Sequence, residues 1–278
     1  MTKVSLQGTY LGKEISLKKV DLIIAGVQKA GTTALFHYFL SHPDLTGASV
    51  KETHFFDDET TVDWSAPDYD RYHKFFSSEK ENHLWFEATP IYIYWPRSLE
   101  RIRDYNPDIR LIFLFRDPIE RAWSHWSMQY ARGIDTLDFQ SAIRSGRSRL
   151  RSHVTTPREW RAFSYVERGF YADQVARVRL LFSREQVLFL ASEWLLRDPE
   201  STLRRITTFL GISPFGSVQA EKVNVRPKVP YPLICKPDDI TYLREIYAAG
   251  LSRFETLADI DVSGWLTRSG EQSLNADE

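Results

Sequence analysis

Cysteine is almost missing from this chain, in which Cys235 is the single residue of its type among 278. One thiol cannot form an internal disulfide, and no partner stands at the spacing of a metal-binding motif. We therefore interpret Cys235 as an incidental thiol and expect a protein of the reducing cytoplasm.

Long apolar runs are missing as well. No run reaches the ~18 residues that a membrane-spanning helix needs, and the first residues, Met1-Thr-Lys-Val-Ser-Leu, lack the apolar core of a signal peptide. The formal net charge is only -1, so we expect no general attraction to nucleic acid or to an anionic membrane. The prediction therefore includes no membrane span and no nucleic-acid partner, and it leaves the oligomeric state open.

Apolar side chains are nevertheless abundant enough for a substantial core, since 42% of the residues are hydrophobic and 14% are aromatic. Short segments typical of buried strands alternate with segments of helical spacing. The strand-like segments cover residues 22–25, 84–87, 110–115 and 186–190, and the helix-like segments cover 173–182 and 199–211. This alternation predicts the α/β class, as a single domain with a mainly parallel central sheet flanked by helices. We place the domain at residues 20–265, after a leader or edge strand at 1–19 and before a frayed tail at 266–278.

One stretch combines the features of a phosphate cradle. A buried strand leads into the loop Gly26-Val-Gln-Lys29-Ala30-Gly31, and a helix opens at Thr32-Thr33. The N–H groups of such a loop and of the first helical turn lack internal partners, and the helix dipole favours an anion there. The lysine stands two residues before the second glycine, whereas nucleoside triphosphatases place Gly-Lys-Ser/Thr together. The alternative is a purely structural turn between a strand and a helix.

A second constellation is Lys51-Glu52-Thr-His54-Phe-Phe-Asp57. In an extended segment the side chains of Glu52 and His54 would point to the same side. A carboxylate beside an imidazole can act as a general base. The alternative is an exposed glutamate near a packed histidine, but the two phenylalanines favour a polar pair that is anchored on a buried base.

The third constellation runs from Phe115 through Arg116-Asp-Pro to Ser124. A buried strand ends at Arg116, and ligands of parallel sheets gather at such strand ends. The aspartate can cap the next helix and the proline can start it, which places Ser124 about two turns into that helix. Arginine suits a phosphate group because its donors form a rigid fork. The alternative here is a structural Arg–Asp pair.

The three constellations, in this order, resemble the sulfotransferases that use 3'-phosphoadenosine 5'-phosphosulfate (PAPS). The resemblance is greatest to the branch of heparan sulfate sulfotransferases and related bacterial enzymes, with its motifs Gly-Val-Gln-Lys-x-Gly-Thr-Thr, Lys-Glu-x-x-Phe-Phe and Arg-Asp-Pro-x-x-Arg-Ala-x-Ser. Further matches are Glu87-Ala-Thr-Pro90, Gly169-Phe-Tyr-Ala172 and Glu193-Trp-Leu-Leu-Arg-Asp-Pro199. The resemblance covers roughly residues 20–232 and implies a P-loop NTPase-like fold. It also implies PAPS as donor, adenosine 3',5'-bisphosphate (PAP) as product, and no metal.

The resemblance further implies roles for individual residues. Glu52 would be the general base on the acceptor hydroxyl, with His54 and Asp57 orienting the base or the acceptor. Lys29 would stabilise charge on the leaving phosphate. The residues implied in donor binding are Lys29, Ala30, Gly31, Thr32 and Thr33 at the 5'-phosphosulfate, Arg116 and Ser124 at the 3'-phosphate, and Arg226 and Lys228 on a loop over the 3'-phosphate.

The acceptor is less well defined by the sequence. Ala88 stands where heparan-type enzymes carry a lysine, so a heparan-like acceptor contact is in doubt and a small molecule, natural product or carbohydrate is expected. Aromatic residues near the predicted site could line an acceptor pocket or belong to the core: Tyr92, Tyr94, Trp95, Trp123 and Trp126. Six arginines within residues 144–161 could form a lid for an acidic acceptor or a solvated helix face.

Two other functions compete with sulfuryl transfer. A nucleotide kinase would share the P-loop-like fold, but the lysine spacing is wrong and Arg116-Asp117 poorly replaces a magnesium-binding aspartate. A non-catalytic nucleotide-binding module would keep the cradle and lose the chemistry, which the presence of both Lys29 and Glu52 disfavours.

Overall fold

The computed structural model describes residues 8–10, 13–15, 18–77, 82–151, 155–216 and 235–266. Two short strands, β1 (Gly8–Tyr10) and β2 (Lys13–Ile15), form an antiparallel pair. They pair with each other, and among the described strands they are not members of the main sheet. The domain limits drawn from the sequence at residues 20 and 265 stay predictions.

The main sheet has five strands, all parallel, which confirms the predicted sheet. They are β3 (Leu22–Gly26), β4 (Leu45–Gly47), β5 (Leu84–Ala88), β6 (Arg110–Phe115) and β7 (Val187–Ala191), in the order β4-β5-β3-β6-β7. Every residue of β3 is buried, as expected of a central strand that is covered on both faces.

Ten helices occur in the described part of the chain, together with three short 3-10 helices. They are α1 (Thr32–Leu40), α2 (Asp70–His73), α3 (Ser98–Tyr105), α4 (Pro118–Ala131), α5 (Phe139–Ile143), α6 (Pro157–Phe163), α7 (Tyr171–Leu181), α8 (Ser192–Arg197), α9 (Pro199–Leu210) and α10 (Pro237–Ala258). The 3-10 helices are Ser145–Leu150, Glu167–Gly169 and Arg184–Gln186. No helix of the described residues is long and apolar enough to cross a bilayer.

The strand order positions the site. Strand β3 lies between β5 and β6, and the chain crosses over β3 when it passes from β5 to β6. Because parallel strands end at the same edge of a sheet, the loops after these three strands meet there. This edge includes the end of β6, where the sequence analysis expected a ligand next to Arg116.

Candidate active site

The loop of residues 26–31, here called the glycine loop, joins β3 to α1 and needs glycine at both ends. A Cβ atom on Gly26 would lie 2.7 Å from Cγ2 of Ile93, which is too close. Gly31 has a φ of 89°, a left-handed conformation that favours glycine, and it forms the N-cap of α1 without a side chain to cap it. The first N–H groups of α1 therefore have no side-chain cap and can bind an anion.

Five of the predicted donor-binding residues, Gly31 among them, lie on this loop and the first turn of α1. Ala30 and Thr32 are buried, whereas Thr33 and Lys29 are half-buried. The Nζ atom of Lys29 lies 3.7 Å from Sδ of Met128 on α4. The lysine thus stands in the middle of the loop, as its spacing predicted.

Two buried arginines surround the glycine loop with positive charge. Arg168 donates to the side-chain oxygen of Gln28 in the loop and, at 2.7 Å, to Oγ of Ser164. Arg121 is fully buried and donates to the carbonyl of Tyr165. Within the described part of the chain, neither guanidinium forms an ion pair with a carboxylate, and Nε and Nη1 of Arg121 have no hydrogen-bond partner. Buried arginine without a counter-ion is costly, so the site suits an incoming anion.

Burial and the same positive charges lower the pKa of His125. Burial, followed by the charges of Arg168, Arg121 and Lys29, lowers the pKa of this imidazole well below its ordinary value. Its ring packs edge-on against Tyr165 at 4.8 Å between centroids. A neutral histidine among three cations leaves the net charge next to the glycine loop positive.

The connection from β6 to α4 places the third constellation as predicted. Asp117 caps α4 by accepting from the N–H groups of Ile119 at 2.8 Å and Glu120, and Pro118 is the first helical residue. Arg116 follows β6 directly, and its Nη1 lies 3.4 Å from the carbonyl oxygen of Lys29. The ion pair of Arg116 is with Glu120, at 2.8 Å, and not with Asp117 as the structural alternative supposed. Ser124 is half-buried on α4.

Residues 51–57, here called the carboxylate loop, are tied to the end of β5. The N–H of Glu52 donates to the carbonyl of Ala88 at 3.0 Å. Thr53 donates to Oε2 of the fully buried Glu87 at 2.9 Å, and Tyr72 and Thr89 donate to the same carboxyl group. Below the loop, Phe55 and Phe56 pack in an aromatic cluster with Tyr72, which agrees with the buried base expected from the sequence.

The carboxylate of Glu52 has two basic neighbours. Nζ of Lys51 lies 2.6 Å from its Oε1, and Nε2 of His54 lies 3.6 Å from its Oε2. Burial raises the pKa of Glu52, but the hydrogen bonds and charges of His54 and Lys51 outweigh burial and hold the pKa at about 2. Glu52 is therefore ionised at neutral pH.

His54 bridges two carboxylates. Its Nδ1 lies 3.0 Å from Oδ2 of Asp57, while its Nε2 faces Glu52. Asp57 is fully buried and also accepts from Arg161 of α6. The proximity of Glu52 and His54 matches the sequence prediction, but its reason was wrong. The two residues have φ values of 64° and 54°, so the segment is not extended there.

Positive φ values concentrate at these positions. Six non-glycine residues of the described part have one, and three of them are Lys29, Glu52 and His54. Such conformations cost on the order of 1–3 kcal/mol each and cluster at functional sites. The strain supports a functional role for all three side chains.

An open cavity of about 360 Å³ adjoins the carboxylate loop. It is lined by His54 and residues 58–60 on one side and by Pro157, Arg158 and Arg161 of α6 on the other. The cavity leaves the imidazole next to Glu52 accessible from solvent.

Most arginines of the segment 144–161 are held by carboxylates of the domain. The ion pairs are Arg144 with Asp239, Arg147 with Glu167, Arg149 with Asp135 and Arg161 with Asp57. The described residues of this segment therefore do not form a lid with six unpaired cations for an acidic acceptor. Arg158, which lines the cavity, has no carboxylate partner among them.

The aromatic residues named as possible pocket walls mainly belong to the core. Tyr92, Trp95, Trp123 and Trp126 are all at most 3% exposed. Tyr94 is half-buried and lies under the guanidinium of Arg168, at 5.1 Å from the ring centre.

Several functional candidates are added or left open by the structure. Arg226 and Lys228 lie outside the described residues. Gln28, Lys51, Arg161 and Arg168 were not predicted as site residues. Arg168 stands directly before the matched motif Gly169-Phe-Tyr, which is the one sequence signal that could have found it. No group of His, Cys, Asp and Glu side chains suited to a metal ion occurs among the described residues.

Comparisons with known proteins give a consistent result. The model of the sulfotransferase domain family matches residues 19–224. The heparan sulfate glucosamine 3-O-sulfotransferase 3A1 of Mus musculus is 31% identical over 192 residues, which are 68% of this chain and 45% of that protein. The membrane-associated sulfotransferase kil1 of Dictyostelium discoideum is 34% identical over 116 residues, 40% of this chain and 24% of that protein. The chain thus spans about half the length or less of these curated relatives.

A solved structure gives the same match at the level of the fold and the sequence. A sulfotransferase from Alicyclobacillus acidocaldarius has a TM-score of 0.73 and 28% identity, with 90% of this chain and 99% of that chain covered. The sulfotransferase domain from the curacin biosynthetic pathway, at 15% identity and a TM-score of 0.51, shares the fold.

Proposed function

Because this chain belongs to the sulfotransferase domain family, we propose that it transfers a sulfuryl group from PAPS to the hydroxyl group of an acceptor. One observation supports this most directly. The positively charged glycine loop follows β3, and the ionised Glu52 is hydrogen-bonded through its N–H to Ala88 at the end of the neighbouring strand β5, at the same edge of the sheet. A donor anion and an acceptor hydroxyl bound there would meet between them.

The proposed donor site has two parts. The N–H groups at the start of α1 and Lys29 hold the 5'-phosphosulfate, and the field of Arg121 and Arg168 favours its negative charge. Arg116 and Ser124 hold the 3'-phosphate, beside the loop, since Arg116 contacts the carbonyl of Lys29. Arg226 and Lys228 remain proposed donors to that phosphate.

In the proposed reaction Glu52 accepts the proton of the acceptor hydroxyl, and the resulting oxygen nucleophile attacks sulfur. The new S–O bond forms while the bond from sulfur to the 5'-phosphate oxygen breaks in line, and PAP leaves with the electron pair. Lys29 stabilises the charge that develops on the leaving phosphate. The main contributions are positioning and charge stabilisation.

The proposed acceptor enters through the cavity next to His54. Its volume of about 360 Å³ suits a small molecule, a natural product or one to two sugar units of a carbohydrate. The curated relative from mouse is named for heparan sulfate glucosamine, so a heparan oligosaccharide belongs in any acceptor panel.

A turnover assay tests the proposal. Purified protein is incubated with donor labelled in its sulfuryl group and a panel of alcohols, phenols and sugars, and labelled product is separated from donor. We expect at least one acceptor to be labelled, with Glu52→Gln retaining PAP binding while turnover collapses. Release of phosphate from ATP, without transfer from PAPS, would instead support the kinase alternative. If His54→Ala abolishes turnover and Glu52→Gln does not, the imidazole is the base.

A further inference from the structure

Arg161 connects helix α6 to the carboxylate loop by two hydrogen bonds. Its Nη1 donates to Oδ2 of Asp57, and its Nη2 donates to the backbone carbonyl of the same residue at 2.5 Å. The guanidinium also lies over the ring of Trp95, with its Cζ 4.1 Å from the ring centre. A planar fork that binds both the carboxylate and the carbonyl of one residue fixes the direction of that carboxylate.

Asp57 in turn determines where the imidazole of His54 points. Both of its carboxylate oxygens lie within hydrogen-bond distance of Nδ1, at 3.1 and 3.0 Å. The side chain of His54 is 44% exposed, so neighbouring packing alone would not fix its ring. With Nδ1 held, Nε2 is directed at Oε2 of Glu52, 3.6 Å away.

We propose that Arg161 is a positioning residue of the reaction, which holds Asp57 and thereby fixes His54 against the carboxylate of Glu52. The inference rests on the proposed function, because it assigns Arg161 to the same site. Arg161 acts through two other side chains and need not touch the reacting atoms.

The backbone of Arg161 is itself fixed to the glycine loop. Its carbonyl accepts from Nη2 of Arg168 at 2.9 Å, and Nη1 of Arg168 donates to Gln28. At the other end of α6, Thr156 and Glu159 form a reciprocal capping box. Helix α6 is therefore connected both to the carboxylate loop, through Asp57, and to the glycine loop, through Arg168 and Gln28.

A second arginine of the same segment offers a matched control. Arg149 binds the buried Asp135 through two hydrogen bonds of 3.0 and 3.1 Å, and it stacks on Phe163 at 4.0 Å. Its surroundings therefore resemble those of Arg161, but Asp135 has no contact with the carboxylate loop among the described interactions. The variant Arg149→Ala therefore shows how much kcat changes when an ion pair that does not contact the carboxylate loop is lost.

The kinetic test compares Arg161→Ala with Arg149→Ala. We expect Arg161→Ala to lower kcat by about 10–100-fold, as small displacements of a catalytic group do, with the KM for donor unchanged and Arg149→Ala within about threefold of wild type. In a His54→Ala background, Arg161→Ala should cost less than about threefold further, because the residue acts through His54. Equal losses in the two backgrounds, or equal kcat for the two arginine variants, would overturn the proposal.

The nitrogen NMR signals of His54 supply a readout that needs no turnover. A carboxylate only accepts, so the bond to Asp57 keeps a proton on Nδ1. We expect the ring-nitrogen signals of His54 to change in Arg161→Ala and to stay the same in Arg149→Ala; unchanged signals in both contradict the proposal. If Arg161→Ala does not fold, Arg161→Lys keeps the charge without the fork and should shift the same signals. If the wild type transfers no sulfuryl group, the proposed function is wrong. The NMR comparison still tests whether Arg161 fixes the position of His54.

Discussion

We propose different roles for two lysines of the site: Lys29 at the donor and Lys51 at the carboxylate of Glu52. Lys29 lies in the glycine loop, and its proposed role is to stabilise charge on the donor. Changing Lys29 to alanine should lower kcat by about 10²–10³, because one stabilising donor at a developing charge is worth that much. Thermal stability should change little, since a half-buried loop lysine contributes little to the core.

Steady-state kinetics at saturating donor measure this loss, with the exposed Lys74→Ala as a control for removal of a cation elsewhere. A Lys29→Ala enzyme within about threefold of wild type would show that Lys29 does not stabilise the leaving group.

Lys51 contacts Glu52, the proposed base, and its Nζ lies 2.6 Å from Oε1 of that carboxylate. Burial raises the pKa of Glu52, and the contributions of His54 and Lys51 bring it from 4.5 down to about 2. Removing the charge in Lys51→Met takes away a cause that lowers the pKa, so the pKa of Glu52 should rise. Because a general base is lost as the pH falls through its pKa, the acid limb of kcat/KM should move to higher pH. The limb of Lys51→Arg, which keeps the charge, should stay in place, and profiles of all three enzymes that coincide through the acid limb itself would refute the base role of Glu52.

The residues that the sequence predicted are those inside continuous motifs. Lys29 and Arg116 each follow a recognisable strand, and Glu52 lies in the motif Lys-Glu-x-x-Phe-Phe. Arg161 lies in no such motif and Arg168 only stands next to one, and their partners Asp57 and Gln28 are 104 and 140 positions away in the chain. The tertiary contacts of α6 and of the 3-10 helix Glu167–Gly169 with the carboxylate loop and the glycine loop bring these groups together.

At the scale of elements, α4 depends on Asp117 for its position. One carboxylate oxygen caps the helix, and the other accepts from the N–H of Leu266 at 2.7 Å. Asp117→Ala should lower the free energy of unfolding by about 2 kcal/mol, since it removes a cap worth about 1 kcal/mol and leaves a buried N–H unpaired.

Chemical denaturation measures this change, and Asp138→Ala is the matched control. Asp138 caps α5 by accepting from the N–H of Ser141 at 2.7 Å, but it is exposed and makes no second connection among the described residues. We expect the control to cost only about 1 kcal/mol. Equal losses for the two variants would mean that the contact with Leu266 adds nothing.

The predicted elements agree with the structure where an apolar run or a clear stop marked them. The strand expected at 110–115 is β6, and the helix expected at 199–211 is α9, with Gly211 in the left-handed cap position. Helix α10 was not predicted, although Leu243, Tyr247 and Leu251 stand at helical spacing on its buried face. This apolar spacing is present in the sequence, but it lies outside all the motifs of the sulfotransferase resemblance.

At the scale of the whole molecule, the sheet order separates two anion sites. The glycine loop follows β3, and Arg116 follows the neighbouring β6. A ligand with phosphates at both ends of a ribose can occupy both sites, whereas a triphosphate chain on the 5' position reaches only the first. In the proposed complex, the ion pair between Arg116 and Glu120 would open or be shared with the 3'-phosphate.

Adenosine 3',5'-bisphosphate should therefore raise the melting temperature more than AMP or ATP does. A ligand at ~100 times its Kd that binds only the folded state adds about 2.7 kcal/mol, and a chain near this size gains about 2–4 °C per kcal/mol. Differential scanning fluorimetry should detect such a shift. Arg116→Ala should erase most of the preference for the bisphosphate, whereas Arg110→Ala, at the opposite end of β6, should keep it. A larger shift with ATP and magnesium than with the bisphosphate would contradict the two-site arrangement and return the site to the kinase alternative.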